Sequence, residues 1–151
     1  MRVVVQRVSE ASVDVDGSVV GAIGPGLCLL VGVGSDDNEA DVNVMVDKII
    51  DLRIFGDDDG KMNLSMADLG AAVLVVSQFT LLGDVRRGRR PSFTSAGPPD
   101  MAAPLVEMMV SRFVERGMFT AAGVFGAHMN LSLVNDGPVT LVLDVRAGEL
   151  V

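Results

Sequence analysis

Ser77-Gln78-Phe79-Thr80 places two hydroxyls, a carboxamide and an aromatic ring directly after the apolar run Ala72 to Val76. Such a run reads as a buried strand, and side chains at a strand end face the crevice where α/β proteins usually bind ligands. Hydroxyls, an amide and nearby backbone N–H groups have the chemistry to polarise a carbonyl. A strand end closed by ordinary turn residues has the same composition, so the segment alone leaves both readings open. Asn135-Asp136-Gly137-Pro138 is the second candidate. An X-Pro bond costs only about 0.5–1 kcal/mol to place in cis. In cis, the flanking carbonyls can point the same way as paired acceptors; a plain turn is the alternative. Arg86, Arg87, Arg89 and Arg90 gather four of the twelve Lys and Arg residues within five positions. That loop is either a phosphate-binding patch or a solvated surface.

The other reactive residues point away from chemistry. Cys28, the only cysteine, lies in the apolar run Leu27 to Val31 with no basic neighbour, which makes it a small buried hydrophobe and no thiolate. His128 is the only histidine. A catalytic triad would have to use it and a zinc site could not gather several imidazoles, so it reads as a partly exposed strand residue. Gly32-Val33-Gly34 stands between a strand and a helix as a dinucleotide loop would, but Asp37 occupies the place of the third glycine and would repel a pyrophosphate. Asp57-Asp58-Asp59-Gly60 has adjacent carboxylates where a calcium loop alternates them, and reads as a turn. No metal and no cofactor is expected.

The elements that must position these residues follow from periodicity. Val3, Val5 and Arg7 alternate with Val4 and Gln6, Ala11 to Val15 alternates again, and Asp16-Gly17 predicts a hairpin into Val19 to Ile23. Leu27 to Val33 suits a strand buried on both faces. A helix is predicted over Ser35 to Arg53, with Asp36 as N-cap, Glu39 closing a capping box, and Val42, Met45, Val46, Ile49, Ile50 and Leu52 as its apolar face. Ala71 to Ser77 is a strand, and Leu82 to Pro99 a long Arg-, Gly-, Ser- and Pro-rich loop of the kind that is often functional. A second helix runs from near Asp100 to Gly117 with Pro104 in its opening turns. Gly123 to His128, Asn130 to Val134 and Val139 to Val145 read as strands. Two helices cannot cover both faces of so much sheet. The expected form is therefore one α/β domain over residues 1–151, with mixed β-sheets packed on each other and both helices on one side.

With 151 residues, 49% of them hydrophobic, the chain can fold without a disulfide or a metal. A net charge of −8 disfavours non-specific binding to nucleic acid but permits a local basic patch. The apolar start Met1 to Arg7 is too short for a signal peptide, and no stretch approaches the roughly 18 apolar residues of a membrane span. A soluble cytoplasmic protein is expected.

Ser77-Gln78-Phe79-Thr80-Leu81 and Asn135-Asp136-Gly137-Pro138-Val139-Thr140 together resemble the two signature motifs of the D-aminoacyl-tRNA deacylase family, also called D-tyrosyl-tRNA deacylase. Met1 to Val8, Gly60-Lys61-Met62-Asn63 and Arg89-Arg90-Pro91-Ser92-Phe93 match as well, so the likeness spans nearly the whole chain. The resemblance implies a homodimer whose sites lie at the subunit interface. Ser77, Gln78, Phe79 and Thr80 would come from one subunit, and a cis Gly137-Pro138 dipeptide from the other. The substrate would be the ester of a D-amino acid with the terminal adenosine of tRNA, with glycine on a non-cognate tRNA such as tRNA(Ala) also admitted. The dipeptide carbonyls would meet the α-amino group and reject L-aminoacyl-tRNA, and a Cβ at residue 137 would intrude on the substrate. Thr80 corresponds to the residue proposed as nucleophile, although no base is evident beside it. Assistance by the ribose 2′-hydroxyl, with backbone N–H groups on the oxyanion, is the reading preferred here. Arg7 corresponds to an arginine near the dipeptide, and Phe125, Gly126 and Met129 to the adenosine side of the pocket. Arg86, Arg87, Arg89 and Arg90 would take tRNA phosphates. The rivals are a non-catalytic tRNA-binding module, a relative with a trans dipeptide and altered chirality, and an inactive structural dimer.

Overall fold

The computed structural model describes residues 1–151. Of nine strands, seven form a curled, mixed sheet with helices on one face, and there are three α-helices. The strands are β1 (Arg2–Val15), β2 (Ser18–Ile23), β3 (Gly26–Gly32), β4 (Phe55–Gly56), β5 (Met62–Leu64), β6 (Ala72–Ser77), β7 (Thr120–Ala122), β8 (Asn130–Arg146) and β9 (Glu149–Leu150). The helices are α1 (Glu39–Asp51), α2 (Met66–Leu69) and α3 (Pro99–Glu115). The main sheet runs β7-β6-β3-β1-β8-β9, with β2 hydrogen-bonded to the far half of β1. The strands β3, β6 and β7 are parallel, so each step between them needs a crossover, supplied by α1 and then α3. Both steps move the same way along the sheet. Right-handed crossovers therefore put both helices on the same face.

That face holds the larger core. Val3, Val5, Leu27, Leu29, Val31, Val73 and Val75 meet Val42, Met45, Val46 and Ile49 of α1 and Leu105, Val106, Met109 and Phe113 of α3. Fully burying a side chain of this size is worth about 1.5–3 kcal/mol. The opposite face is closed by the sheet itself. Its second cluster is Val8, Ala11, Val13, Ile23, Cys28, Leu74 and Val76. The inward set of β1 thus changes from Val3 and Val5 on the helix face to Val8, Ala11 and Val13 on the other. Val8 reaches the other face by ordinary alternation, and the register shift at Val8/Glu10, which sets two steps of β1 against one of β8, brings Ala11 and Val13 to that same face, since one extra residue reverses the side-chain alternation. Sheet-on-sheet packing is thus achieved by one sheet folding over itself and not by two separate sheets. The small β4-β5 ribbon stands apart, and no helix is long and apolar enough to cross a membrane.

Three local expectations need correction. The cap of α1 is Asn38, whose side chain accepts from Ala40 N–H at 2.9 Å while Asp41 accepts from Asn38 N–H at 2.9 Å; the box is Asn38/Asp41 and not Asp36/Glu39. Asp41 is fully buried and also accepts from Gly148 N–H at 2.8 Å. Residues 123–128 form no strand; the parallel strand is Thr120–Ala122 and His128 stands exposed after a turn. The strands expected on either side of Asn135 to Pro138 are one continuous β8 carrying a bulge, because both halves pair with β1. Pro104 is accommodated inside α3.

Candidate active site

Ser77 ends β6 beside Val31 of β3, and Gln78 N–H donates to Val31 O at 2.7 Å. The chain then tightens into a 3-10 turn over Phe79–Leu82, closed by Leu81 N–H to Gln78 O at 3.2 Å and Gly83 N–H to Thr80 O at 3.0 Å. The N–H groups that open such a turn have no partner inside it. Those of Phe79 and Thr80 donate to no side chain and to no turn or loop carbonyl, and both residues are exposed. Two free donors therefore stand next to the Thr80 hydroxyl, which accepts from the Gln78 side-chain amide. No carboxylate, imidazole or amine shares that hydrogen bond. The turn is equipped to hold an oxyanion and poorly equipped to deprotonate a hydroxyl.

The turn after β7 lies at the same end of the sheet. The strand β7 is parallel to β6 with Ala122 beside Val75, and Gly123 N–H donates to Val75 O at 2.9 Å. Phe125 and Gly126 project from the turn that follows, and Met129 packs on the second cluster beneath it. The structure thus brings Phe125, Gly126 and Met129 to the sheet end that carries Ser77 to Thr80.

Gly137 and Pro138 are elsewhere. They form the crest of the bulge in β8, opposite Arg7 between the pairs Gln6/Thr140 and Val8/Asn135. The neck of the bulge is clamped by side chains. Asn135 accepts from Val139 N–H at 2.8 Å and donates to Thr140 Oγ1 at 2.9 Å, where Gln6 Nε2 also donates at 3.3 Å. Arg7 braces the crest from below. Its Nε donates to Asp136 O at 3.1 Å and lies 3.3 Å from the Asp136 carboxylate, and its Nη1 donates to Ile54 O at 2.5 Å. The Gly137–Pro138 bond is cis. Gly137 has φ +128, and a Cβ there would come within 2.8 Å of Arg7 Nη2 and 3.0 Å of Val139 Cγ2. The need for glycine is thus already imposed by the chain's own Arg7 and backbone, whereas the sequence assigned it to a substrate. The bracing residues Gln6, Asn135 and Thr140 were not among the expected site residues.

Within one chain the two motifs do not meet. Ser77 pairs with Val31, Val31 with Val3, and Val3 with Leu143, whereas Gly137 lies four residues further along β1, opposite Arg7. Three strand spacings across and four residues along separate them by about 20 Å of sheet.

The four loop arginines are not equivalent. Arg86 is held by Asp84, with Nε at 2.9 Å and Nη2 at 2.7 Å from the two carboxylate oxygens, which lowers the Asp84 pKa and raises that of Arg86. Arg87, Arg89 and Arg90 are exposed and form no ion pair. Elsewhere the chemistry is quiet. Burial pushes the Cys28 thiol up to about 11. Asp37 accepts from Gly34 N–H at 2.6 Å, placing a carboxylate where a nucleotide loop would offer its N–H to phosphate. No three His, Cys, Asp or Glu residues come together as a metal site would require.

This arrangement has close counterparts. The sequence profile described as D-Tyr-tRNA(Tyr) deacylase matches residues 4–144. A protein of Roseiflexus castenholzii named D-aminoacyl-tRNA deacylase is 58% identical over 144 residues, covering 95% of this chain and 92% of its own length. One of the same name from Heliobacterium modesticaldum is 56% identical over 149 residues, 99% of each chain. A solved structure described as c-Myc DNA Unwinding Element Binding Protein superposes with a TM-score of 0.91 at 39% identity, covering 97% of this chain and 100% of that one. A second, described as a probable eukaryotic D-amino acid tRNA deacylase, shares the fold with a TM-score of 0.82 at 20% identity, over 95% of this chain and 98% of that one. With the profile spanning both motifs and relatives this similar along their whole length, the chain belongs to the D-Tyr-tRNA(Tyr) deacylase family.

Proposed function

We propose that this protein is a carboxylic ester hydrolase that cuts D-amino acids from the terminal adenosine of mischarged tRNA, and glycine from a non-cognate tRNA such as tRNA(Ala), while rejecting L-aminoacyl-tRNA. The observation that carries the reading is the turn Phe79–Leu82, with two free N–H donors and no base beside Thr80. Water's oxygen bonds to the ester carbonyl carbon, the carbonyl oxygen takes the developing charge at the Phe79 and Thr80 N–H groups, and the bond to the ribose 3′-oxygen breaks. The proton lost by water passes by way of the neighbouring 2′-hydroxyl to the departing 3′-oxygen. Phe125, Gly126 and Met129 border the adenosine, and Ser77 and Gln78 shape the turn. No metal or organic cofactor enters the reaction. Single-turnover hydrolysis of D-tyrosyl-tRNA beside L-tyrosyl-tRNA tests the proposal: cleavage of the first and survival of the second is expected, and equal rates would refute it.

The same proposal makes the protein a homodimer of one deacylase domain per chain, 1–151, at work in the cytoplasm where charged tRNA is. A site containing both Thr80 and Gly137-Pro138 needs a second copy, because about 20 Å of sheet separates them in one. A docking edge exists: β8 is hydrogen-bonded along one side to β1, whereas on the other only its end, Asp144 to Arg146, is paired, with β9 and Val151. An open edge of that length, bearing exposed Val134 and Val142, calls for a cover. Sedimentation at micromolar concentration should find a dimer throughout the active range. An active monomer there would break the argument.

Arg87, Arg89 and Arg90 are proposed to bind tRNA phosphates, with Arg86 contributing less because Asp84 already holds it. The double variant R87A/R89A should flatten the slope of log affinity against log salt by about 1.5–2 and weaken different tRNAs alike. R86A should change the slope by less than either single variant. Unchanged slopes would leave the loop a solvated surface.

A further inference from the structure

The loop that bears the arginines follows directly on the turn that bears Thr80, and one side chain from its far end packs back onto that turn. Asp84 and Ser92 exchange two backbone hydrogen bonds, at 2.7 and 2.9 Å, and close the arginine segment into a stalked loop. Beyond the stalk, Ser95 O accepts from Ser35 N–H at 3.1 Å and Gly97 N–H donates to Val33 O at 2.8 Å, so the far end is fixed to the extension of β3. Between these anchors stands Phe93. Its ring meets Phe79 edge to face, with centroids 5.0 Å apart and planes at 71°, and this is the protein's one aromatic pair. The ring also lies over Gly83, where a Cβ would come within 3.0 Å of both Phe93 Cε1 and Thr80 O. Phe79 is 56% exposed and its N–H is one of the two free donors.

We propose that Phe93 is a positioning residue, which holds the Phe79 ring and with it the N–H groups of Phe79 and Thr80 in register with the arginine loop, so that phosphate binding at Arg87 and Arg89 is felt as alignment at the reacting carbonyl. The proposal rests on the deacylase reading. Phe93 acts through Phe79, and Gly83, which has no side chain, leaves the Phe93 ring the space a Cβ would take. A loop that carried charge alone would need no such contact.

The test compares F93A, F93L and F93Y with the wild-type dimer on full-length D-tyrosyl-tRNA and on D-tyrosyl-adenosine, which lacks the phosphates. Wild-type cleavage of the tRNA substrate is read first; its absence would overturn the deacylase reading and this proposal together. With wild type active, F93A and F93L should lower kcat on D-tyrosyl-tRNA about 3- to 10-fold, the scale of an aromatic pair's worth, with KM changed less than twofold. F93Y, which keeps the ring, should restore it. The loss should shrink on D-tyrosyl-adenosine, and R87A should cost less kcat in the F93A background than in wild type. Thermal unfolding and sedimentation check that each variant is folded, and F93L serves where F93A is not. A higher KM at unchanged kcat, an F93Y as impaired as F93A, or equal losses on both substrates would each overturn the positioning role.

Discussion

Gly137→Ala should abolish D-aminoacyl-tRNA cleavage while leaving a folded protein. A methyl at this position meets two obstacles inside the chain. The backbone is at φ +128, where an L side chain is strained, and the new Cβ would lie 2.8 Å from Arg7 Nη2 and 3.0 Å from Val139 Cγ2. Strain of that kind costs about 1–3 kcal/mol, against a typical domain stability of about 5–15 kcal/mol, so the fold survives. The bulge crest cannot stay where it is. Arg7 is pinned by the Asp136 and Ile54 carbonyls, so the yielding part is the dipeptide, and its carbonyls move with it. In the gate that the family resemblance implies, those carbonyls bind the substrate's ammonium. A displacement near 1 Å in a positioning group costs about 10²-fold, and leaving a buried donor unpaired adds about 1–3 kcal/mol. Single-turnover rates on D-tyrosyl-tRNA should fall at least 10²-fold, with the unfolding midpoint lowered and the dimer retained. Full activity and stereoselectivity in this variant would place the chiral gate elsewhere.

Periodicity made much of the fold legible. The apolar face of α1 was readable because Val42, Met45, Val46, Ile49 and Ile50 recur at helical spacing, and all five are buried. Its start was not, because Asp36…Glu39 and Asn38…Asp41 both satisfy the capping-box spacing. What selects the second is a bond from Gly148 N–H to the buried Asp41, 107 residues along the chain, which no local pattern contains. Val124 and Phe125 look like strand residues, yet Gly126 at φ +76 turns the chain there and leaves both exposed. For Asn135 to Pro138 the sequence signals a turn, and a turn and a bulge use the same residues. Which one forms depends on whether the flanks pair with each other or with a third strand, and β1 is long enough to take both. The two motifs were legible as separate sites of interest. That one chain holds them about 20 Å apart follows only from the strand order.

Thr80→Ala should keep activity within about tenfold of wild type. The hydroxyl accepts a hydrogen bond from the Gln78 amide and has no base beside it, and its exposed position lets water replace it at little cost. The alanine variant keeps the Phe79 and Thr80 backbone N–H groups, which carry the oxyanion in the proposed mechanism. Removal of a true nucleophile would instead cost several orders of magnitude. The larger effect belongs to the substrate. D-tyrosyl-tRNA ending in 2′-deoxyadenosine has the same ester but lacks the hydroxyl proposed to move the proton. General acid–base assistance is worth about 10²–10⁴-fold, so wild-type cleavage of this substrate should slow by that factor while its binding changes little. The two measurements separate the mechanisms cleanly. A nucleophilic threonine predicts a dead variant and a deoxy substrate still acylating the enzyme at residue 80, detectable by mass spectrometry after acid quench. Water activated by the ribose predicts an active variant, a slow deoxy substrate and no adduct. An adduct on Thr80 would overturn the assisted route even if both rates fell.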